Sequence, residues 1–346
     1  MKYIVTIPPA FEEKIRSLIS KGEFRDVNHF ITVALENQIN AEENLTAWIT
    51  ESPRQIHRMP EESQSNAHLG PSLVSKTYKI CPEPPIERLN DRLLWGQYYR
   101  FLPTKFSLRI LANLSTDKFP TLASFKDHAA SSAEIFGKQL KRLDRTMGNK
   151  SGEKISTSFP ENSEKSRRRF TEQYIGYVRP TDQKYIGMLL TLRFADVLDN
   201  SGVEEIGITP TGQEFCNLHN PIIDGQPQSK GIFSLDEIDF LVRHINNKLP
   251  DEAGHMMKVL DLLRDEGKSR EVLNSALSLF YKKYQDPDRP WTEGVVNLMR
   301  AGAMSRMFEL EIISKKRNGL IVTYELTELG KKYMDFSKIG GTSNDS

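Results

Sequence analysis

The first forty residues impose the strongest constraint on the fold, because they cannot close a core alone. Lys2-Tyr3-Ile4-Val5-Thr6-Ile7 reads as a short strand with Tyr3, Val5 and Ile7 on one face. Pro8 and Pro9 stop it and suit the first turn of a helix, where a missing N–H costs nothing. Phe11, Ile15, Leu18 and Ile19 then recur at helical spacing up to Gly22. Asp26 is placed to cap a second helix bearing Phe30, Ile31, Ala34 and Leu35. So small a unit buries too little apolar surface, and its single strand leaves backbone donors and acceptors unpaired. Two chains that pair these strands antiparallel and interlock these helices solve both problems, so the segment predicts a homodimer.

The order of elements in KYIVTIPPAFEEKIRSLISKGEFRDVNHFITVALENQI resembles the MetJ/Arc-type ribbon-helix-helix DNA-binding family, over about a ninth of the chain. The resemblance implies paired strands in the major groove, with Lys2, Ile4 and Thr6 toward the bases. It also implies a phosphate at the start of the second helix, near Asp26 to His29, with Asn28 among the contacts. Ile4 stands where the family usually carries a polar or basic residue, and Asp26 brings a negative charge near the phosphate. These departures shift the weight of the unit from base readout to dimerisation.

At 346 residues the chain has room for two or three domains. Mean hydropathy is −0.50, no apolar run approaches membrane-spanning length, and no leader pattern opens the sequence. Cys81 and Cys216 have neither metal nor redox spacing. The expected setting is cytoplasmic, at the nucleoid. The net charge of +1 conceals an asymmetry: residues 100–180 hold 16 basic against 8 acidic residues, whereas 181–290 hold 12 against 18. A basic block in an otherwise neutral or acidic chain is the footprint expected of polyanion binding.

The predicted organisation is a ribbon-helix-helix unit over 1–40, a polar linker over 41–84, a basic domain over 85–228, a second domain over 229–338 and a disordered tail over 339–346. Within the basic domain, FSLRILANL and TLASFKDHAA predict two helices. SSAEIFGKQLKRLDR predicts a third, opened by a Ser131/Glu134 capping box. Phe136, Leu140 and Leu143 would face inward, leaving Lys138, Lys141, Arg142 and Arg145 outward. A capped helix with one basic face after a small-residue turn resembles the helix-turn-helix of winged-helix proteins. KISTSF and FTEQYIGYV would then form the wing, with Arg167, Arg168 and Arg169 reaching flanking phosphates.

A second such module is expected near the C-terminus. Ser234 and Glu237 form another capping box, and helices are predicted near 254–266 and 269–284. The segment from Trp291 ends in helix, hairpin and helix, with Asn318-Gly319 as the hairpin signal. Arg300 and Arg306 on the helix, and Lys315, Lys316 and Arg317 at the hairpin, are candidate DNA contacts. An internal echo ties the modules together. Ile208-Thr209-Pro210-Thr211-Gly212 precedes Phe215, and Leu326-Thr327-Glu328-Leu329-Gly330 precedes Tyr333.

The expected fold class is therefore mainly α with small β elements: a ribbon-helix-helix dimerisation unit plus two winged-helix-like domains. No histidine-rich, nucleophile-elbow or dinucleotide pattern appears, so neither catalysis nor a cofactor is expected. The expected partner is double-stranded DNA, bound by a homodimeric transcriptional regulator. The alternatives are a replication or partition protein of a plasmid or mobile element, and a C-terminal module that binds a protein. No membrane partner is expected.

Overall fold

The computed structural model describes residues 9–20, 26–27, 70–71, 77–84, 93–149, 153–225, 231–318 and 321–340. The chain divides into two units, Met1–Ser65 and Asn66–Ser346. In the first, helix α1 (Pro9–Ser20) follows the expected proline entry and buries Ile15, while Arg16 pairs with Glu12 at 2.8 Å on the exposed side. The strand over 2–7, most of the second helix, and Lys2, Ile4, Thr6 and Asn28 lie outside the described residues, as do most of the linker and the C-terminal tail.

The second unit is mainly helical, with small antiparallel sheets of two and three strands. Its described residues form two repeats of one plan. The first repeat runs α2 (Leu102–Leu114), α3 (Leu122–Thr146), α4 (Glu164–Phe170), β1 (Tyr177–Val178), β2 (Tyr185–Ile186), α5 (Met188–Thr191), β3 (Ala195–Asn200), β4 (Val203–Ile208) and α6 (Pro210–Asn217). Helix α7 (Leu235–Lys248) separates it from the second. There follow α8 (Pro250–Leu262), β5 (Lys268–Ser269), α9 (Arg270–Tyr281), α10 (Glu293–Glu309), β6 (Ile313–Asn318), β7 (Ile321–Leu326) and α11 (Glu328–Gly340).

The correspondence is residue for residue at both ends of the plan. Helices α2 and α8 are each 13 residues long and begin 148 positions apart, at 102 and 250. Thr121 and Ser269, again 148 apart, cap the next helix by accepting the N–H of Ser124 and of Val272. Both also touch the returning strand, through Thr121↔Glu205 and Ser269↔Thr323. Hairpins β3–β4 and β6–β7 then run over 195–208 and 313–326, every boundary 118 positions apart.

The Thr-Gly echo is the joint that closes each copy. The Thr209 hydroxyl accepts the Gly212 N–H at 3.0 Å and donates to Arg193 O at 2.6 Å. Thr327 accepts the Gly330 N–H at 3.0 Å and donates to Glu311 O at 2.6 Å. Arg193 and Glu311 are both left-handed, at φ 58° and 57°. A Cβ on Gly212 would lie 1.9 Å from Phe194 O, and one on Gly330 2.1 Å from Ile312 O, so only glycine allows this strand–helix approach.

Between these ends the repeats diverge. Thr121 to Leu192 spans 192 − 121 = 71 positions, and Ser269 to Leu310 spans 310 − 269 = 41. The longer copy departs from the sequence reading in three places. The expected helix-turn-helix over 121–145 is the single 25-residue helix α3: Thr121 caps it, and Phe125, Ala129, Ala133, Phe136 and Leu140 form one unbroken buried stripe. The expected wing over 154–178 is helical for most of its length. Ile155–Ser158 is a 3-10 turn, and Glu164–Phe170 passes into a π-helical turn over Thr171–Ile175. Phe159, Phe170 and Tyr174 stack in series onto Phe136, with centroids 5.1 to 6.0 Å apart. Lastly, 77–84 belongs to the packed body. Cys81 is buried, its N–H donates to Ile208 O at 2.8 Å, and Lys79 N–H donates to Ser115 O at 2.8 Å.

Candidate nucleic-acid interface

The exposed side of α3 carries Ser131, Ile135, Lys138, Arg142 and Arg145 at spacings of four and three, with Lys141 beside them. The loop after α3 is pinned by the buried Asp144 carboxylate, which accepts the N–H groups of Ile155 (2.8 Å) and Ser156 (3.0 Å). This anchor turns the chain back so that α4, capped by Ser163, lies against α3. Arg167 then hydrogen-bonds Ser131 and stands 3.7 Å from Glu134, which also pairs with Lys138 at 3.0 Å. Lys141 meets Glu161 at 2.6 Å, and Arg168 meets Glu172 at 2.7 Å.

The structure thus brings Arg167 beside the expected α3 residues, although neither comes from a helix-turn-helix or a wing, while Arg168 pairs along its own helix and Arg169 is exposed on α4. Arg142 and Arg145 on α3, and Lys165 and Arg169 on α4, are exposed cations with no ion-pair partner among the described residues; no pattern in the sequence marks Lys165. Exposed pairs such as Lys141–Glu161 contribute only about 0–1 kcal/mol and exchange readily for a phosphate.

Much of the remaining charge of the basic block is internal. Lys105 and Arg109 project inward from α2. Lys105 Nζ lies 3.0 Å from Glu237 Oε1 and Arg109 Nη2 lies 3.0 Å from Asp224 Oδ2. Burial pushes the Lys105 ammonium down and the Glu237 carboxyl up from their ordinary values, and their mutual attraction opposes both shifts. The acidic block therefore neutralises part of the basic one inside the protein.

Arg300 and Arg306 need correction as candidate DNA contacts, because both are buried. Arg300 donates to Asn274 Oδ1 at 2.5 Å. Arg306 donates to Glu252 (2.6 Å) and to the carbonyls of Tyr98 (2.7 Å), Trp95 (3.4 Å) and Leu94 (3.4 Å). Burial alone would raise the Glu252 pKa, but Arg306 and His255 hold it below the ordinary carboxylate value. Helix α10 also receives the 93–101 segment closely: a Cβ on Gly302 would lie 2.3 Å from Gly96 O. No basic side chain of α10 is exposed.

The two hairpins differ in sign. β3–β4 carries Asp196, Asp199, Glu204 and Glu205 with no basic residue. β6–β7 carries Lys315, Lys316 and Arg317 against Glu325 alone. Arg317 is exposed, Lys316 pairs with Glu325 at 2.5 Å, and Lys315 is half-buried over the Phe308 ring at 4.3 Å.

Among the described residues no group of acids, histidines and cysteines could hold a metal ion, and no helix is long and apolar enough to cross a membrane. Comparison with protein-family models, curated proteins and solved structures finds no match to this chain.

Proposed function

We propose that this protein is a homodimeric DNA-binding regulator of transcription. In this reading the first forty residues are a ribbon-helix-helix dimeriser, and the two repeats are winged-helix modules. The ordering of strands, with the short entry strand β5 beside β7 and β7 beside β6, supports the winged-helix reading of the second repeat. Thr121, β4 and β3 stand in the same order in the first.

One observation carries the DNA-binding reading: α3 and α4, which lie against one another, expose four cations that have no ion-pair partner among the described residues. The neighbouring pairs are surface pairs that can yield to phosphate. These helices grip backbone phosphates, and the β6–β7 hairpin adds Lys316 and Arg317. Each neutralised phosphate steepens the dependence of log K on log salt by about 0.9. Arg142, Arg145 and Arg169 changed together to Ala should therefore flatten the slope by roughly two to three and weaken duplex binding. Fluorescence anisotropy against a salt series tests this, and an unchanged slope would remove these helices from the interface.

A second reading is favoured by a separate observation. Helix α10 has only Glu293, Gly294, Leu298 and Ala301 as well-exposed helical positions, and α9 exposes Val272 and Leu279. In this reading the second repeat binds protein and the first binds DNA, as in a replication or partition assembly on DNA.

A further inference from the structure

The two hairpins hold equivalent places in the repeats, and each presents an outer strand. β3 and β6 end their sheets, with no further strand beside them among the described residues, whereas β4 touches Thr121 and β7 touches β5. Their charges are opposite and incompletely matched at home. Asp199, Glu204 and Glu205 form no ion pair among the described residues; Asp199 accepts the Gly202 N–H at 2.8 Å, and Glu204 accepts the Tyr185 hydroxyl. On the basic hairpin Lys316 meets Glu325, and Arg317 has no ion-pair partner among the described residues.

Each hairpin also exposes a β-branched apolar residue at the same point of the plan. Val203 and Ile321 open the returning strands, 118 positions apart, and are 48% and 61% exposed. An outer strand is open to another chain, and like charges along it oppose pairing with its own kind. Acidic hairpin against acidic, or basic against basic, is therefore disfavoured. Acidic against basic sets opposite charges around an apolar pair, which is the usual make-up of a protein interface.

We propose that the β3–β4 hairpin of one copy of this protein docks on the β6–β7 hairpin of a second copy. Val203 meets Ile321 at the centre, and Asp199, Glu204 and Glu205 face Lys316 and Arg317 around them. Because the two surfaces differ, the contact either closes a two-fold pair in which each copy gives both hairpins or runs on head to tail. Two hairpins of six-residue strands offer less than the roughly 1,200 Å² of a standard interface, so the contact is transient and sensitive to salt. The inference is independent of the DNA-binding reading, but it uses Lys316 and Arg317, so a duplex and a second copy compete for the basic hairpin.

The test is disulfide trapping between two full-length chains of different tag length, one carrying Val203→Cys and the other Ile321→Cys. They are co-expressed and oxidised with copper-phenanthroline. At about 50 mM salt the mixed disulfide should exceed the like-with-like products about ten-fold, and at about 500 mM that excess should vanish. Asp199→Lys/Glu204→Lys/Glu205→Lys on the first chain should abolish the excess. Adding Lys316→Glu/Arg317→Glu to the second chain should restore it, which also shows that both variants fold. Mixed and like-with-like products in equal amounts at low salt overturn the contact. So does a mixed product indifferent to salt and to charge reversal, or one that the double reversal fails to restore. Loss of duplex affinity in Lys316→Glu/Arg317→Glu, with no excess of mixed disulfide between the unreversed chains, gives the hairpin to DNA alone and likewise overturns it.

Discussion

The two repeats are built on one frame and put it to opposite uses. Both set a 13-residue helix, a Ser/Thr-capped helix, a hairpin and a Thr-Gly joint in the same order and nearly the same register. In the first, the interval between cap and hairpin is filled with extra helix that turns a basic face outward. In the second, the same interval holds α10, which turns both its arginines inward, Arg306 onto the carbonyls of 94–98 and Arg300 onto Asn274. The hairpins also exchange sign, acidic in the first and basic in the second. The ends of the plan fix the fold, and the interval between them decides which surface is offered.

The largest way to break this contrast is Arg306→Ala. If α10 is a clamp, the change strands Glu252 in the core and should destabilise the protein by about 3–5 kcal/mol in a urea titration. A folded variant with normal stability and poor DNA binding would instead restore α10 as a reading helix.

The repeats should also respond to acid in opposite directions. His244, on α7 against the first repeat, donates its Nε2–H to Leu192 O at 2.8 Å, and burial brings its pKa down to about 4. Its folded value lies below the usual 6.5, so its contribution is intact above pH 6.5 and lost as pH falls toward 4. Glu309, in the second repeat, is raised from 4.5 to about 7 by burial. Its contribution is complete below pH 4.5 and lost as pH rises through 7. Each is on the order of 3 kcal/mol across its window, and the two oppose each other between pH 4.5 and 6.5. His244→Gln should therefore leave a protein that gains stability on mild acidification, and Glu309→Gln one that loses it. Parallel pH profiles for the two variants would contradict this assignment.

Gly212→Ala and Gly330→Ala sharpen the likeness, because both place a methyl against a carbonyl. Each should cost about 1–3 kcal/mol, and a large difference between them would show that the joints are not equivalent. Smallest of all, the Arg142/Arg145/Arg169 triple alanine variant should alter unfolding by no more than about 0.5 kcal/mol, since those side chains are exposed. Its effect should appear in salt-dependent binding alone.

What the sequence made legible follows the same division. The Thr-Gly echo was readable because a cap and a close approach demand particular residues at fixed offsets. The Ser234–Glu237 box likewise forms as expected, with both reciprocal bonds present. The Ser131–Glu134 pair had the same spelling and misled. A capping box is only an option, and the continuous stripe from Phe125 to Leu140 made helix continuation the better use of those residues. The β3–β4 hairpin was missed because its acidic composition hid a strand pair closed by a two-residue turn, Ser201-Gly202, with both residues at positive φ. The burial of Arg300, Arg306, Lys105 and Arg109 was not readable either, since each depends on a partner distant in sequence.

The grip of Arg306 and Glu309 on 93–102 has a practical corollary. A break in the chain between α6 and α7 would not release two separable proteins. The fragments would co-migrate as one particle on a sizing column, and the nick would show only when denaturant parts them.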